Sequence, residues 1–103
     1  MNDKTLSLLG LSRRANKLEY GNDTVIKSIK ERKAELVILT QDISQNTEKN
    51  IIRVAQEFDV KLIKTSYTMD DMDYAIGKRA GIFCVNDKGF SDKLISLLET
   101  EKH

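Results

Sequence analysis

The sequence predicts an α/β protein: a three-layer α-β-α sandwich with a central mixed four-stranded sheet, built as a single domain over residues 1–103. Two observations carry this. Helix-type and strand-type patterns alternate along the chain as α-β-α-β-α-β-α-β-α, the order of a sheet with helices packed on it. Two short segments, Leu36–Leu39 and Gly81–Asn86, are apolar almost throughout. Strands of that kind are buried on both faces, so the sheet needs a layer on each side. A chain of 103 residues has room for one such core and not for two.

Asn2 or Asp3 caps a first helix running to about Ala15. Leu6 and Leu9 form one apolar stripe on it, and Leu8, Leu11 and Ala15 a second, so it is expected to pack on both the sheet and a neighbouring helix. Leu18-Glu19-Tyr20 alternates and is short enough for an edge strand. The stretch from Gly21 to Asp42 organises the rest of the chain. Gly21 allows a sharp approach to a helix, and Asn22 or Asp23 is placed to cap it. Val25, Ile26 and Ile29 fall on one face, with Asp23, Lys27 and Lys30 together on another. Leu36–Leu39 is the first buried strand.

Gln41 to Asn46 is a polar turn in which Ser44 or Asn46 caps a third helix, with Ile51, Ile52, Ala55 and Phe58 as its apolar face. Val60 to Ile63 is a third strand. Thr68 heads a short fourth helix, with Asp71 placed for a capping box. Its buried face is Met69, Met72 and Ile76, and it ends at Gly77. The second buried strand contains Cys84, which reads as a small core hydrophobe rather than a reactive thiol. Asp87-Lys88-Gly89 is a turn, and Ser91 caps a last helix bearing Leu94, Ile95, Leu97 and Leu98. His103, the terminal residue, is assigned no role.

The composition, 40% hydrophobic and 32% charged, is that of a soluble globular protein. No apolar run approaches the ~18 residues needed to span a bilayer, and no signal peptide is read at the start. With one cysteine there is no internal disulfide and no cysteine-based metal site, so the expected location is the cytoplasm. Net charge is only +1, but residues 1–40 hold eight Lys/Arg against five Asp/Glu, while residues 41–103 hold nine against eleven. That asymmetry points modestly to a polyanion partner. The chemistry of an enzyme is missing. There is no internal histidine, no serine in a nucleophile-elbow setting, no dinucleotide fingerprint and no P-loop. Asp70, Asp71 and Asp73 make an acidic helix start rather than a metal site. No enzyme activity, cofactor, metal or small-molecule substrate is therefore expected.

Several segments resemble the kink-turn-binding ribosomal protein family: L-L-G-L-S-R-R-A-N-K-L, the Gly21–Asp42 stretch, A-I-G-K and N-D-K-G-F-S-D-K-L-I-S-L-L. The first and last are most like a bacterial branch of it. The resemblance spans nearly the whole chain. It implies an α-β-α sandwich that binds a sharply bent RNA with tandem sheared G·A pairs. The family's G-x-N-E-x-x-K falls on Gly21, Asn22, Asp23, Thr24, Val25, Ile26 and Lys27. Gly21 and Lys27 match, whereas Asp23 replaces an Asn and Thr24 a Glu. An ionised Asp only accepts hydrogen bonds, while an Asn both donates and accepts. The family's second RNA-facing element falls on the loop Ser66-Tyr67-Thr68. Asp73 stands where family members carry a glycine.

The leading functional reading is a non-catalytic, monomeric RNA-binding protein associated with ribosomes. Gly21, Asn22, Asp23, Thr24 and Lys27 would face bases and phosphates. Lys30, Arg13, Arg14 and Lys17 would contact phosphates, and Tyr67 would stack on an extruded base. The alternative is a protein-interaction adaptor on the same fold, using the acidic 70–73 helix and the loop before it.

Overall fold

The computed structural model describes residues 3–100. Asn2, the alternative first cap, and the terminal His103 lie outside the described residues. In order the elements are α1 (Lys4–Arg14), β1 (Leu18–Tyr20), α2 (Asn22–Lys30), β2 (Leu36–Leu39), α3 (Gln45–Glu57), β3 (Lys61–Lys64), α4 (Met69–Ile76), β4 (Ile82–Val85) and α5 (Lys88–Thr100). The strands form one mixed sheet in the order β1-β4-β2-β3. β4 runs antiparallel to both β1 and β2, while β2 and β3 are parallel. β1, β2 and β3 therefore point the same way. Their carboxyl ends share one rim of the sheet with the start of β4.

Period-2 alternation in the two apolar strands divides the core into two layers. Val37, Leu39, Ile82 and Cys84 meet Val25 and Ile29 of α2 and Ile51 and Val54 of α3. From the other face Leu36, Ile38, Phe83 and Val85 meet Leu9 of α1, Met72 and Ile76 of α4, and Leu94 of α5. This is the three-layer sandwich the sequence predicts. The edge strand β3 presents Lys61 and Lys64 to solvent, paired with Glu99 at 3.0 Å and Glu48 at 3.1 Å. Charged ends of this kind blunt an exposed sheet edge against further strand pairing.

Five local expectations are corrected. Gly21, not Asn22 or Asp23, is the N-cap of α2, and no side chain caps that helix. The third strand starts and ends one residue later than Val60 to Ile63, because the Val60 amide closes α3 on the Ala55 carbonyl at 2.8 Å. The last helix begins at Lys88, before Ser91: Asp87 accepts from the Phe90 amide at 2.8 Å, and Ser91 is buried inside α5 with its hydroxyl unpartnered. In α1 the second stripe stops at Leu8, since Leu11 is 48% exposed and Ala15 lies on the surface. Met69 is only partly buried, at the mouth of α4. The other caps fall where expected, on Asp3, Ser44 and the Thr68–Asp71 capping box.

Cys84 is fully buried, and its thiol is pushed up to about 12, first by desolvation and then by the nearby negative charge of Glu19. A thiol held neutral and out of solvent is a poor nucleophile. We expect Ellman's reagent to label the native protein only at the rate of transient opening, and the urea-unfolded protein at once. Immediate labelling of one thiol per native chain would remove Cys84 from the core.

Candidate nucleic-acid interface

The rim where the parallel strands end gathers most of the residues of interest. Gly21 sits at the top of β1 with φ +95°, a conformation side-chain-bearing residues rarely adopt. Its amide donates to the Ile82 carbonyl at 3.0 Å, which fixes the start of α2 beside the start of β4. Asn22, Asp23 and Thr24 follow, all exposed. The first amides of a helix have no intrahelical acceptor, and here no side chain supplies one. The result is an open, partially positive helix terminus. Asp23 suits the dipole but is not an ion-pair partner of Lys27. Lys27 instead approaches Glu31 at 4.0 Å, with its side chain 75% exposed. Lys30, at the last turn of α2, is also exposed.

Towards the carboxyl end of α2 a polar knot ties the helix to the sheet. Glu19 accepts hydrogen bonds from the Ser28 hydroxyl and from Asn86 Nδ2, the latter at 2.8 Å. Its carboxyl is held below the usual 4.5, first by the Ser28 bond. Burial works against this shift, while the Asn86 bond and the positive charges of Lys33 and Lys27 add to it. A lowered acid pKa stabilises the fold above the unfolded value, and that stability is lost as pH falls through the folded value. Acid unfolding followed by circular dichroism should therefore be less steep below about pH 4.5 in Glu19→Gln than in the parent. Identical acid profiles would show that Glu19 does not couple α2 to protonation.

Next to Gly21 stands the segment Gly77–Gly81, which opens with the last two residues of A-I-G-K. Gly77 ends α4 in the left-handed conformation. Lys78 Nζ lies 5.4 Å over the Tyr20 ring at the end of β1. Arg79 Nε donates to Asp70 at 2.9 Å, an exposed pair of small energetic weight. Gly81 has no room for a side chain: a Cβ there would lie 3.1 Å from Met69 Cε and 3.3 Å from Thr40 Oγ1. Its carbonyl accepts from the Thr40 amide at 3.0 Å. Lys78 is thus brought beside the open end of α2, while Arg79 is held at the start of α4. The available signal was Lys78-Arg79 directly after the quoted A-I-G. The antiparallel pairing of β1 with β4 that gives it meaning is not a local property.

The loop Ser66-Tyr67-Thr68 lies on the same rim but over the opposite edge strand. The Tyr67 carbonyl accepts from the Gln41 amide at 2.8 Å, and the Ser66 carbonyl accepts from the Gln41 side chain. Three strand spacings separate it from Gly21, on the order of 14 Å. Tyr67 is half-buried against the core, and its hydroxyl donates to the Asp3 carboxylate at 2.9 Å. Its ring face is not offered to a base in this arrangement. The aromatic that is fully offered is Tyr74, 93% exposed on α4. The basic cluster near residue 15 divides: a Cβ on Gly77 would lie 3.8 Å from Arg13 Nη1, so Arg13 reaches the segment beside Gly21. Lys17 is at the far end of β1 from Gly21, its carbonyl accepting from the Asn86 amide at 2.8 Å. Arg13 and Arg14 line a groove between α1 and α4. Among the described residues no group of three His, Cys, Asp or Glu is placed to hold a metal ion, and no helix is long and apolar enough to cross a membrane.

An α-β-α sandwich whose polar and basic groups are spread along one rim, rather than gathered in a cleft, is a small binding module. The chain belongs to the ribosomal protein L7Ae/L30e/S12e/Gadd45 family, which residues 3–95 match. It is 42% identical over 93 residues to the RNA-binding protein YlxQ of Bacillus subtilis, covering 89% of this chain and 92% of that protein. To the RNA-binding protein YlxQ of Enterococcus faecium it is 31% identical over 96 residues, covering 93% and 92% respectively. A solved protein of unknown function from Bacillus halodurans has a TM-score of 0.89 at 32% identity, covering 95% of this chain and 99% of that one. The Giardia lamblia 15.5kD RNA binding protein has a TM-score of 0.76 over 97% of this chain and 89% of its own; at 14% identity it shares the fold alone.

Proposed function

We propose that this protein binds structured RNA, of the kinked type the family resemblance implies, without catalysing a reaction on it. The observation that carries the reading is the open amino end of α2, with Gly21 and Lys27 at the family's positions and Lys78 over the Tyr20 ring just before it. Free helix amides and exposed cations suit phosphate oxygens, and short side chains at the helix start suit base edges. Asn22, Asp23 and Thr24 would meet bases. Lys27, Lys30, Lys78 and Arg79 would meet phosphates, with Ser66 to Thr68 at the far side of the rim. Lys17 lies at the other end of β1 and is left out of this surface. The rim is complete within one chain, which supports action as a monomer. Two relatives bearing the name RNA-binding protein support the partner class. A cytoplasmic, ribosome-associated setting is the corresponding biological proposal.

The test compares two lysines. Lys27→Ala should weaken binding to a kink-turn RNA by about 1–3 kcal/mol if it touches a base, and less for a phosphate alone. Lys49→Ala, on the exposed side of α3, should change little. Titrations at fixed salt measure both, and the slope of log affinity against log salt reports the phosphates neutralised. Equal effects of the two changes would take Lys27 out of the site.

A further inference from the structure

We propose that the groove between α1 and α4 is a docking site for an acidic, leucine-bearing segment of a protein partner, a function independent of the RNA reading. The groove encloses about 410 Å³. Leu6 and Gly10 of α1 and Ala75 and Ile76 of α4 line it, with Arg13 and Arg14 where α1 ends. At Gly10 the two helices approach closely, since a Cβ there would lie 3.3 Å from the Ala75 carbonyl oxygen, and the groove narrows at this point. The flanking ridges carry unusual apolar exposure. Among the described residues the exposed large hydrophobics are Leu11, Tyr20 and Tyr74. Leu11 lines the groove, and Tyr74 precedes Ala75 on α4. Clustered apolar exposure beside a groove is a mark of an interaction site.

Charge selects the occupant. Lys27, Lys33, Arg53, Lys61, Lys64, Arg79 and Lys88 each have an acidic partner within 4.0 Å. Arg13 and Arg14 have none among the described residues. Two unpaired guanidinium groups at the end of an apolar groove match carboxylates flanking an apolar anchor, in the manner of an amphipathic helix laid in a groove. Nucleic acid fits less well. Asp73 is exposed on the turn of α4 that leads into Ala75 and Ile76, and a chain of phosphates laid along the groove would be repelled there. A peptide places negative charge at the arginine end alone.

The experiment titrates the full-length, isotope-labelled protein with a short synthetic amphipathic peptide, leucines at helical spacing and glutamates grouped at one end. A control peptide carries lysines in place of the glutamates. Amide shifts should concentrate on residues 6–14 and 74–77 and saturate with the acidic peptide. Leu11→Glu and Arg14→Glu, both at exposed positions, should each weaken the acidic peptide by about tenfold, and Leu11→Glu should do so while leaving RNA affinity unchanged. Equal binding of the lysine peptide, shifts outside the groove, or no saturable shift at about 1 mM acidic peptide would overturn the proposal. So would a loss of RNA affinity in Leu11→Glu, which would assign the groove to RNA. Failure of RNA binding in the parent protein would leave the peptide result standing.

Discussion

Phe83→Ala is expected to lower the stability of the domain by about 3–5 kcal/mol, a large share of the roughly 5–15 kcal/mol typical of a domain. Phe83 is 0% exposed and sits at the centre of β4, opposite Tyr20 on β1 and Ile38 on β2. Its ring centroid lies 6.5 Å from that of Tyr20 at 45°. Around it are Leu36, Ile38, Met72 and Leu94, drawn from β2 and from the helices α4 and α5, so the cavity has little freedom to collapse. Smaller truncations in the same two strands should cost less: about 2–4 kcal/mol for Ile38→Ala and about 1–3 kcal/mol for Val85→Ala. Urea unfolding measures all three as shifts of the midpoint at constant slope. Midpoints unmoved by Phe83→Ala would mean that the layer beneath α1, α4 and α5 does not hold the sheet together.

The core was legible because the signal there is both local and strong. Four consecutive apolar residues at Leu36–Leu39, and again at Ile82–Val85, admit no exposed face, and that alone demands helices on both sides. Caps were legible where a side chain does the capping, as at Ser44 and Thr68. They were missed where no side chain caps the helix, as at Gly21, or where the capping side chain sits in an apparent turn, as at Asp87. At Gly21 the positive φ turns the chain without a side-chain acceptor, so the nearest polar residues, Asn22 and Asp23, were given a role they do not hold. At Asp87 the helix starts through a Gly89 that reads as a turn, and Ser91 looked like a cap only because it is a serine before apolar residues. Leu11 misled for a different reason: periodicity counts apolar residues without knowing whether a neighbour exists to cover them.

The site was legible only in part, for a topological reason. The Gly21–Lys27 motif is contiguous, so its open helix start follows from one stretch of chain. Lys78 reaches it through the pairing of β1 with β4, elements more than 60 residues apart in sequence. Nothing local marks a helix-ending Lys-Arg as belonging to another helix's terminus. Conversely, Lys17 lies close to Gly21 in sequence, yet the extended β1 carries it to the far end of the strand. Tyr67 was drawn to a base by its chemistry alone; the fold gives its hydroxyl to Asp3, 64 residues away.

Restoring the family pair at the start of α2, by Asp23→Asn together with Thr24→Glu, should tighten binding to a kink-turn RNA by about 1–3 kcal/mol, the worth of a good base contact. Both positions are exposed on the first turn of α2, so the fold tolerates the change. One acid is lost and one gained, and formal charge is constant, which excludes a general electrostatic gain. An Asn at 23 both donates to and accepts from a base edge, whereas the native carboxylate only accepts and repels phosphate. The added Glu at 24 reaches further than Thr and suits the helix dipole, and the open amides beside it are undisturbed. Because the restored groups read base edges, a duplex of equal length without a kink should gain less than the kinked RNA. The opposing force is the acidic start of α4, where Asp70 already holds Arg79 at 2.9 Å. Adding Asp70→Ala to the double change should release that guanidinium and raise affinity for both RNAs, with a steeper salt dependence. Calorimetric titration with both RNAs measures each step. A restored protein that does not prefer the kinked RNA would count against a kink-turn surface on this rim.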